Sequence, residues 1–284
     1  VTMTNDSTLR LVLCTKNDLP GAIILNRILP RLAGHRTMVM LSEKTRGPEL
    51  AVPELSVLKY LERDLPVGTV FPLIDSLGDN RRGRKLTFQG LSRRFECPIS
   101  IVDDVNSPKW SSVVKEFRPD IIVSVRFSCV FRQEVIDIPR LGIFNIHPGA
   151  LPNYAGLFPS FRAMLNRDGR IGCTVHRVDR FIDGGPILGI GWTDMVLERG
   201  LLWHVFKSYN AGLDLFADLL PVIAAGEPVD EQPQDFQMRA YRSLPSPEDV
   251  RRFIAQGYQL FDPATYGESL AEFLPPHLDI PRCF

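Results

Sequence analysis

Hydrophobic and polar positions along the chain switch repeatedly between two periods, and the switches predict alternating strands and helices. Leu9–Cys14 is a short apolar run suited to a buried strand, and Gly21–Leu32 then carries Ile24, Ile28 and Leu32 at helical spacing. Thr37–Leu41 predicts a second strand, 53–63 a helix, and 67–73 an apolar link. Helices over 85–95 and 111–117 flank a strand at Ile99–Val102, and Asp120–Val125 predicts the central strand. Gly142–Phe144 leads into a strand ending near His147, Ser160–Leu165 predicts a helix, and Gly172–Val178 alternates like another strand. A long helix is expected over 201–224, with Leu202, Val205, Phe206, Leu213, Phe216 and Leu220 apolar, and a short one over 248–256. Such alternation predicts an α/β fold built on a doubly wound, mostly parallel sheet. Residues 1–200 form the expected main domain, with 46–82 as an insertion, and 201–284 a helix and C-terminal extension.

The stretch 141–186 departs from a packing pattern. By strand alternation Asn145 and His147 share one face and Ile146 takes the other, so two polar side chains occupy one surface. Pro148, Gly149 and the turn-rich residues to Gly156 then lead the chain away from the strand end, where open α/β sheets bind ligands. Asp183 sits in a second tight turn, before Gly184, Gly185 and Pro186, and only folding could bring it to the first pair. An amide, an imidazole and a carboxylate suit acyl transfer. The amide N–H stabilises an oxyanion, the imidazole donates to it or moves a proton, and the carboxylate orients the imidazole. A histidine after a strand also serves as a structural hydrogen-bonding residue, and an aspartate before two glycines as a turn former. The residues by themselves leave both readings open.

Asn145, His147, Leu151, Pro152, Tyr154, Gly156, Pro159 and Ala163 are followed by Gly172, Thr174, His176, Asp183, Gly185, Pro186, Ile187 and Leu188. In this order they resemble the formyltransferase family that uses N10-formyltetrahydrofolate, and the likeness extends upstream through Pro119–Phe131. The resemblance implies a Rossmann-like formyltransferase fold with Asn145, His147 and Asp183 as the catalytic trio. Asn145 and His147 would bind the formyl oxygen, and Asp183 would hold His147 and a proton-relaying water. It also implies main chain wrapped around a pterin at Phe127, Ser128, Cys129, Val130 and Phe131, with Asp179 as a further cofactor-binding residue and no metal. His176 matches a recurrent histidine, for which orienting the turn and touching substrate are equally open. Ala155 replaces an arginine common in relatives, so any contact made by that arginine is absent. The loop Thr15–Gly21 lacks the Gly-Ser-Asn-rich phosphate cradle of the glycinamide ribonucleotide enzymes, which discounts them while leaving Lys16 and Asn17 available to another substrate.

Composition narrows the partners. The 284 residues carry 33 Lys plus Arg and 33 Asp plus Glu, so no global basic field draws nucleic acid. The run Arg81–Lys85 is the most basic patch; it reads as a solvated surface or, more sharply, as a contact for a nucleotide-sugar phosphate or tRNA. Five cysteines without paired spacing favour reduced thiols, Val1–Thr8 lacks the features of a secretory signal, and no run approaches the roughly 18 apolar residues of a membrane span. The expectation is a cytoplasmic enzyme, without a membrane partner, that formylates a small-molecule amine such as a nucleotide sugar or amino-acid derivative. Residues 46–85 are the place to look for acceptor choice. A homodimer through the C-terminal extension is expected. Three rivals stand beside this reading: hydrolysis of the folate, against which the eight residues before the first strand argue because deformylases carry an extra N-terminal domain; methionyl-tRNA formylation; and a non-catalytic folate-binding module.

Overall fold

The computed structural model describes residues 8–44, 51–77 and 84–275. Its centre is a seven-stranded sheet. In chain order the strands are β1 (Arg10–Lys16), β2 (Arg36–Ser42), β3 (Ile99–Val102), β4 (Ile121–Val125), β5 (Ile143–His147), β7 (Arg170–Arg177) and β8 (Ile187–Asp194). The short β6 (Ala155–Gly156) and β9 (Tyr241–Arg242) pair separately. The spatial order is β3-β2-β1-β4-β5-β7-β8. Neighbours from β3 to β5 run parallel, and β7 and β8 add an antiparallel edge. The chain winds outward from β1 to β3 and then returns to lay β4 on the other side of β1. That reversal makes β1 and β4 the switch point, beside which such sheets bind ligands.

Local signals explain where the helices begin. Asp18 accepts the Gly21 N–H at 2.8 Å and caps α1 (Leu19–Ile28), while Ser107 caps α5 (Pro108–Phe117), whose first residue is a proline. Helices α4 (Phe88–Phe95), α6 (Gln133–Ile136) and α7 (Pro159–Leu165) also lie in the first two thirds of the chain. The long helix α8 (Leu201–Ala225) buries Tyr209, Leu213, Phe216, Leu220 and Ile223, a stripe at three- and four-residue spacing, against Ile146, Cys173 and Val175.

The segment expected to be an apolar link is helical instead. After α2 (Pro53–Lys59) the chain continues through widened π-helical turns at Tyr60–Asp64 and Pro66–Val70 into α3 (Phe71–Ser76). Val67, Val70, Phe71 and Ile74 recur at helical spacing and pack with Leu19, Ala22 and Phe273, which favours helix over an extended link. The widening has a covalent cause. Pro66 carries no N–H, so the Glu62 carbonyl loses its normal partner four residues on. The Leu65 N–H bonds to the Tyr60 oxygen instead, and the freed Leu61 carbonyl accepts the Tyr266 hydroxyl at 2.9 Å. Tyr266 lies on α10 (Pro263–Ala271), so the C-terminal part of the chain braces this segment.

Five elements escaped the sequence pattern: β8, whose glycines break the apolar alternation, α10, and the short α6, β6 and β9. Helix α9 (Pro247–Ala255) matches expectation. Of the basic run, Arg81, Arg82 and Gly83 lie outside the described residues, and Lys85 is ion-paired with Glu272. The glycines that hide β8 also let α8 lie close to the sheet. A Cβ on Gly191 would sit 2.6 Å from the Ala211 oxygen, and one on Gly212 would sit 2.4 Å from Cys173 Sγ and 2.7 Å from Ile146 Cγ2.

Overpacking at such a contact costs about 1–3 kcal/mol. Gly212→Ala should therefore lower the urea-unfolding free energy by that amount. An unchanged midpoint would mean that α8 has room to spare.

Candidate active site

A cavity of about 370 Å³ opens at the carboxyl ends of β1, β4 and β5. The expected catalytic and cofactor-binding residues line it: Asn145, His147 and Asp183, with Phe127, Ser128, Cys129, Val130, Phe131 and Asp179; Lys16 lines it as well, whereas Asn17 does not and donates to Glu43. The trio converges. His147 Nδ1 lies 3.5 Å from Asp183 Oδ1, with the two side chains 5% and 11% exposed, so little water screens the pair. The other ring nitrogen, Nε2, is 2.7 Å from the Tyr154 carbonyl oxygen. A carbonyl only accepts, so the proton of the neutral ring belongs on Nε2, and Nδ1 is the nitrogen free to gain one beside the carboxylate.

Backbone geometry sets these positions. The antiparallel register of β5 and β7 places His176 opposite Asn145 and Thr174 opposite His147. Thr174 donates to the Gly149 oxygen at 2.6 Å and accepts the Leu151 N–H at 3.1 Å, which pins the turn leaving His147. Asp183 has a positive φ of 51°, and its Oδ2 accepts the Gly156 N–H at 2.8 Å. Gly156 itself has φ +96°, and a Cβ there would lie 2.2 Å from the Arg242 oxygen, so only glycine fits between β9 and the carboxylate. Gln234 donates to the carbonyls of Asp183 and Gly185 at 3.1 and 2.7 Å, and Arg239 donates to the Ile182 carbonyl. The C-terminal extension thus holds the Asp183 turn.

His176 serves Asn145. Its Nδ1–H donates to the Arg177 oxygen at 2.8 Å, which leaves Nε2 to accept from Asn145 Nδ2 at 3.0 Å. One amide hydrogen of Asn145 is thereby committed, and the other is left as a donor in the cavity. Burial pushes the His176 pKa down to about 4, with Asp183 opposing and His147 reinforcing the shift. The ring therefore stays neutral and able to accept near pH 7.

The loop after β4 is held at both ends. Ser42 Oγ accepts the Ser128 N–H at 3.0 Å, while the Asn106 side chain accepts the Arg132 N–H at 2.8 Å and donates to the Val130 oxygen at 2.9 Å. The Phe127 and Phe131 rings stack with centroids 5.7 Å apart, and Phe131 is buried while Val130 is exposed. Asp179 accepts the Phe181 N–H at 2.8 Å, so one of its oxygens shapes its own turn.

Sequence reasoning missed an ion array on the β1–β4 side of the cavity. Arg126, at φ 60°, donates through Nε to Asp18 Oδ2 at 2.8 Å and through Nη2 to Glu62 Oε2 at 2.7 Å. Burial disfavours the guanidinium charge, but Asp18 and Glu62 more than offset it and raise its pKa further. Burial likewise lifts the Glu62 carboxyl, against the pull of Arg126. Arg126, one residue beyond an apolar strand, was the available signal; its partners lie 108 and 64 residues away.

Comparison with known proteins gives similarities to formyl transferases. Residues 101–192 match the family model described as formyl transferase. A methionyl-tRNA formyltransferase of Thermobifida fusca is 31% identical over 212 residues, covering 72% of this chain and 65% of the relative. That of Kosmotoga olearia is 30% identical over 206 residues, again 72% and 65%. The chain spans about 65% of the length of these curated relatives. Among solved structures, a 4-N formyltransferase from Francisella tularensis has a TM-score of 0.55 at 16% identity, covering 83% of this chain and 76% of that one. A sugar N-formyltransferase from a Shewanella species gives 0.52 at 18%, covering 94% and 88%. These structural likenesses carry the fold, and the match over residues 101–192 together with the sequence relatives makes the chain similar to formyl transferases.

Proposed function

We propose that this chain moves a formyl group from N10-formyltetrahydrofolate to an amine nitrogen. The observation that carries the reading is the meeting of Asn145, His147 and Asp183 in one cavity. An unprotonated amine attacks the formyl carbon. The oxygen gains charge and accepts from the free Asn145 N–H and from Nδ1–H of a protonated His147, whose Nε2–H stays on the Tyr154 carbonyl. Asp183 stabilises the imidazolium, directly or through a water, as the attacking nitrogen gives up its proton. The bond from carbon to N10 breaks, N10 takes a proton, and an N-formyl product and tetrahydrofolate result. The donor's ring system fits the braced loop, where Phe127 and Phe131 supply apolar surface and the backbone around Val130 supplies polar groups; Asp179 contributes its second carboxylate oxygen.

Two acceptors have specific support. Identity of 30–31% to methionyl-tRNA formyltransferases favours the α-amine of methionyl-tRNA. The even balance of 33 basic and 33 acidic residues favours a small amine that needs no extended basic surface. Supplying purified protein with the formyl donor and either charged initiator tRNA or a mixture of small amines should give a formyl mass increment on one class. Formate release that is equally fast without any amine would instead identify a hydrolase.

Asn145→Ala should reduce turnover by about 10²–10³-fold, the usual cost of one oxyanion donor, with donor binding retained; full activity would remove Asn145 from the mechanism. A pH effect follows from His176. Unfolded histidine titrates near ~6.5, and the folded ring near about 4. Between these values the unfolded chain holds more protons, so the contribution of His176 to stability falls as pH drops through that window. Urea unfolding should show this slope in the wild type, and His176→Asn should flatten it; an unchanged slope would contradict a buried neutral ring.

A further inference from the structure

The widened turns before Pro66 place Glu62 on the wall of the same cavity as the trio, although it belongs to a segment otherwise concerned with packing. Its side chain is 14% exposed, and only one carboxylate oxygen is committed: Oε2 accepts from Arg126, while Oε1 takes no hydrogen bond from the described residues. Arg126 is fixed in turn by Asp18, which the α1 cap immobilises. The Leu61 carbonyl, next to Glu62, is tied to Tyr266. Arg126 is thus one guanidinium shared between two carboxylates, and Glu62 keeps one oxygen uncommitted on the cavity wall.

We propose that Glu62, positioned by Arg126 and Asp18, is a specificity determinant that receives the acceptor's ammonium group, so that amines enter this cavity in cationic form and release one proton to solvent before the free amine attacks. The inference rests on the formyl-transfer reading and names the part of that site that selects the acceptor. Arg126 cannot serve equally as an anchor for phosphate, because its Nε and Nη2 already face carboxylates. Burial raises the Glu62 pKa, with Arg126 and Lys16 opposing the shift and Asp18 adding to it. Of the other charged or titratable groups around it, Lys16 repels a cation, Asp18 attracts one, and Tyr209 is kept neutral by burial. Apolar residues Leu58, Leu157, Phe158 and Val205 line the cavity with it and suit the carbon body of an amine.

The probes are n-hexylammonium and n-hexanol, alike in size and different in charge, with binding read by ligand-observed NMR on the whole chain. The wild type should bind the ammonium about tenfold or more tightly than the alcohol, as expected for a charged hydrogen bond in a sheltered site. Glu62→Gln should bring the two affinities together, and Glu62→Asp, which keeps the charge, should retain part of the preference. Asn145→Ala should keep the preference while losing transfer. Equal binding of the two probes by the wild type, or an undiminished preference in Glu62→Gln with its circular dichroism unchanged, would overturn the assignment. The wild-type comparison decides even if Glu62→Gln does not fold. A wild type that prefers the ammonium but transfers no formyl group would leave this subsite standing and remove the reaction.

Discussion

The imidazole of His147 lies between two acceptors, the Tyr154 carbonyl and the Asp183 carboxylate, and the site depends on that placement. A ring so placed has a defined tautomer when neutral and a waiting counter-charge when protonated. Neither acceptor is near in sequence terms that would fix the geometry alone: one comes from the turn after β5, the other from beyond β7. Much of the remaining architecture holds those two oxygens still. Thr174 ties the first turn, and Gly156, Gln234 and Arg239 tie the second.

The antiparallel edge has a chemical consequence. A parallel neighbour would deliver its residues to β5 in a different register, whereas β7 sets His176 directly opposite Asn145. Because burial keeps His176 neutral, its bond orients the asparagine without bringing in charge that would compete with the developing oxyanion. The close approach of α8 at Gly212 shelters the same strands from behind. Packing, neutrality and orientation are thus joined along one pair of strands.

Much of this was legible in the sequence. Strong apolar periodicity located β1, β2, β4, β5, α8 and α9, and polar residues breaking that pattern marked Asn145, His147 and Asp183. The difficulties have physical causes. Strand β8 was hidden because Gly189 and Gly191 serve helix packing rather than strand propensity. The residues 67–73 were read as an apolar link, whereas the helical turns widen around Pro66 and a distant tyrosine takes up a freed carbonyl. The Asp18–Arg126–Glu62 array was invisible because ion pairs across 64 and 108 residues leave no local pattern. The support given by Gln234 and Arg239 was missed for the same reason.

The most direct test of the central pairing is a double-mutant cycle on formyl-transfer rate with His147→Asn, Asp183→Asn and the double variant. Residues acting as one unit are strongly non-additive, so the double variant should be little slower than the slower single variant. Rate losses that simply multiply would show that His147 and Asp183 act independently, and would contradict the site described above.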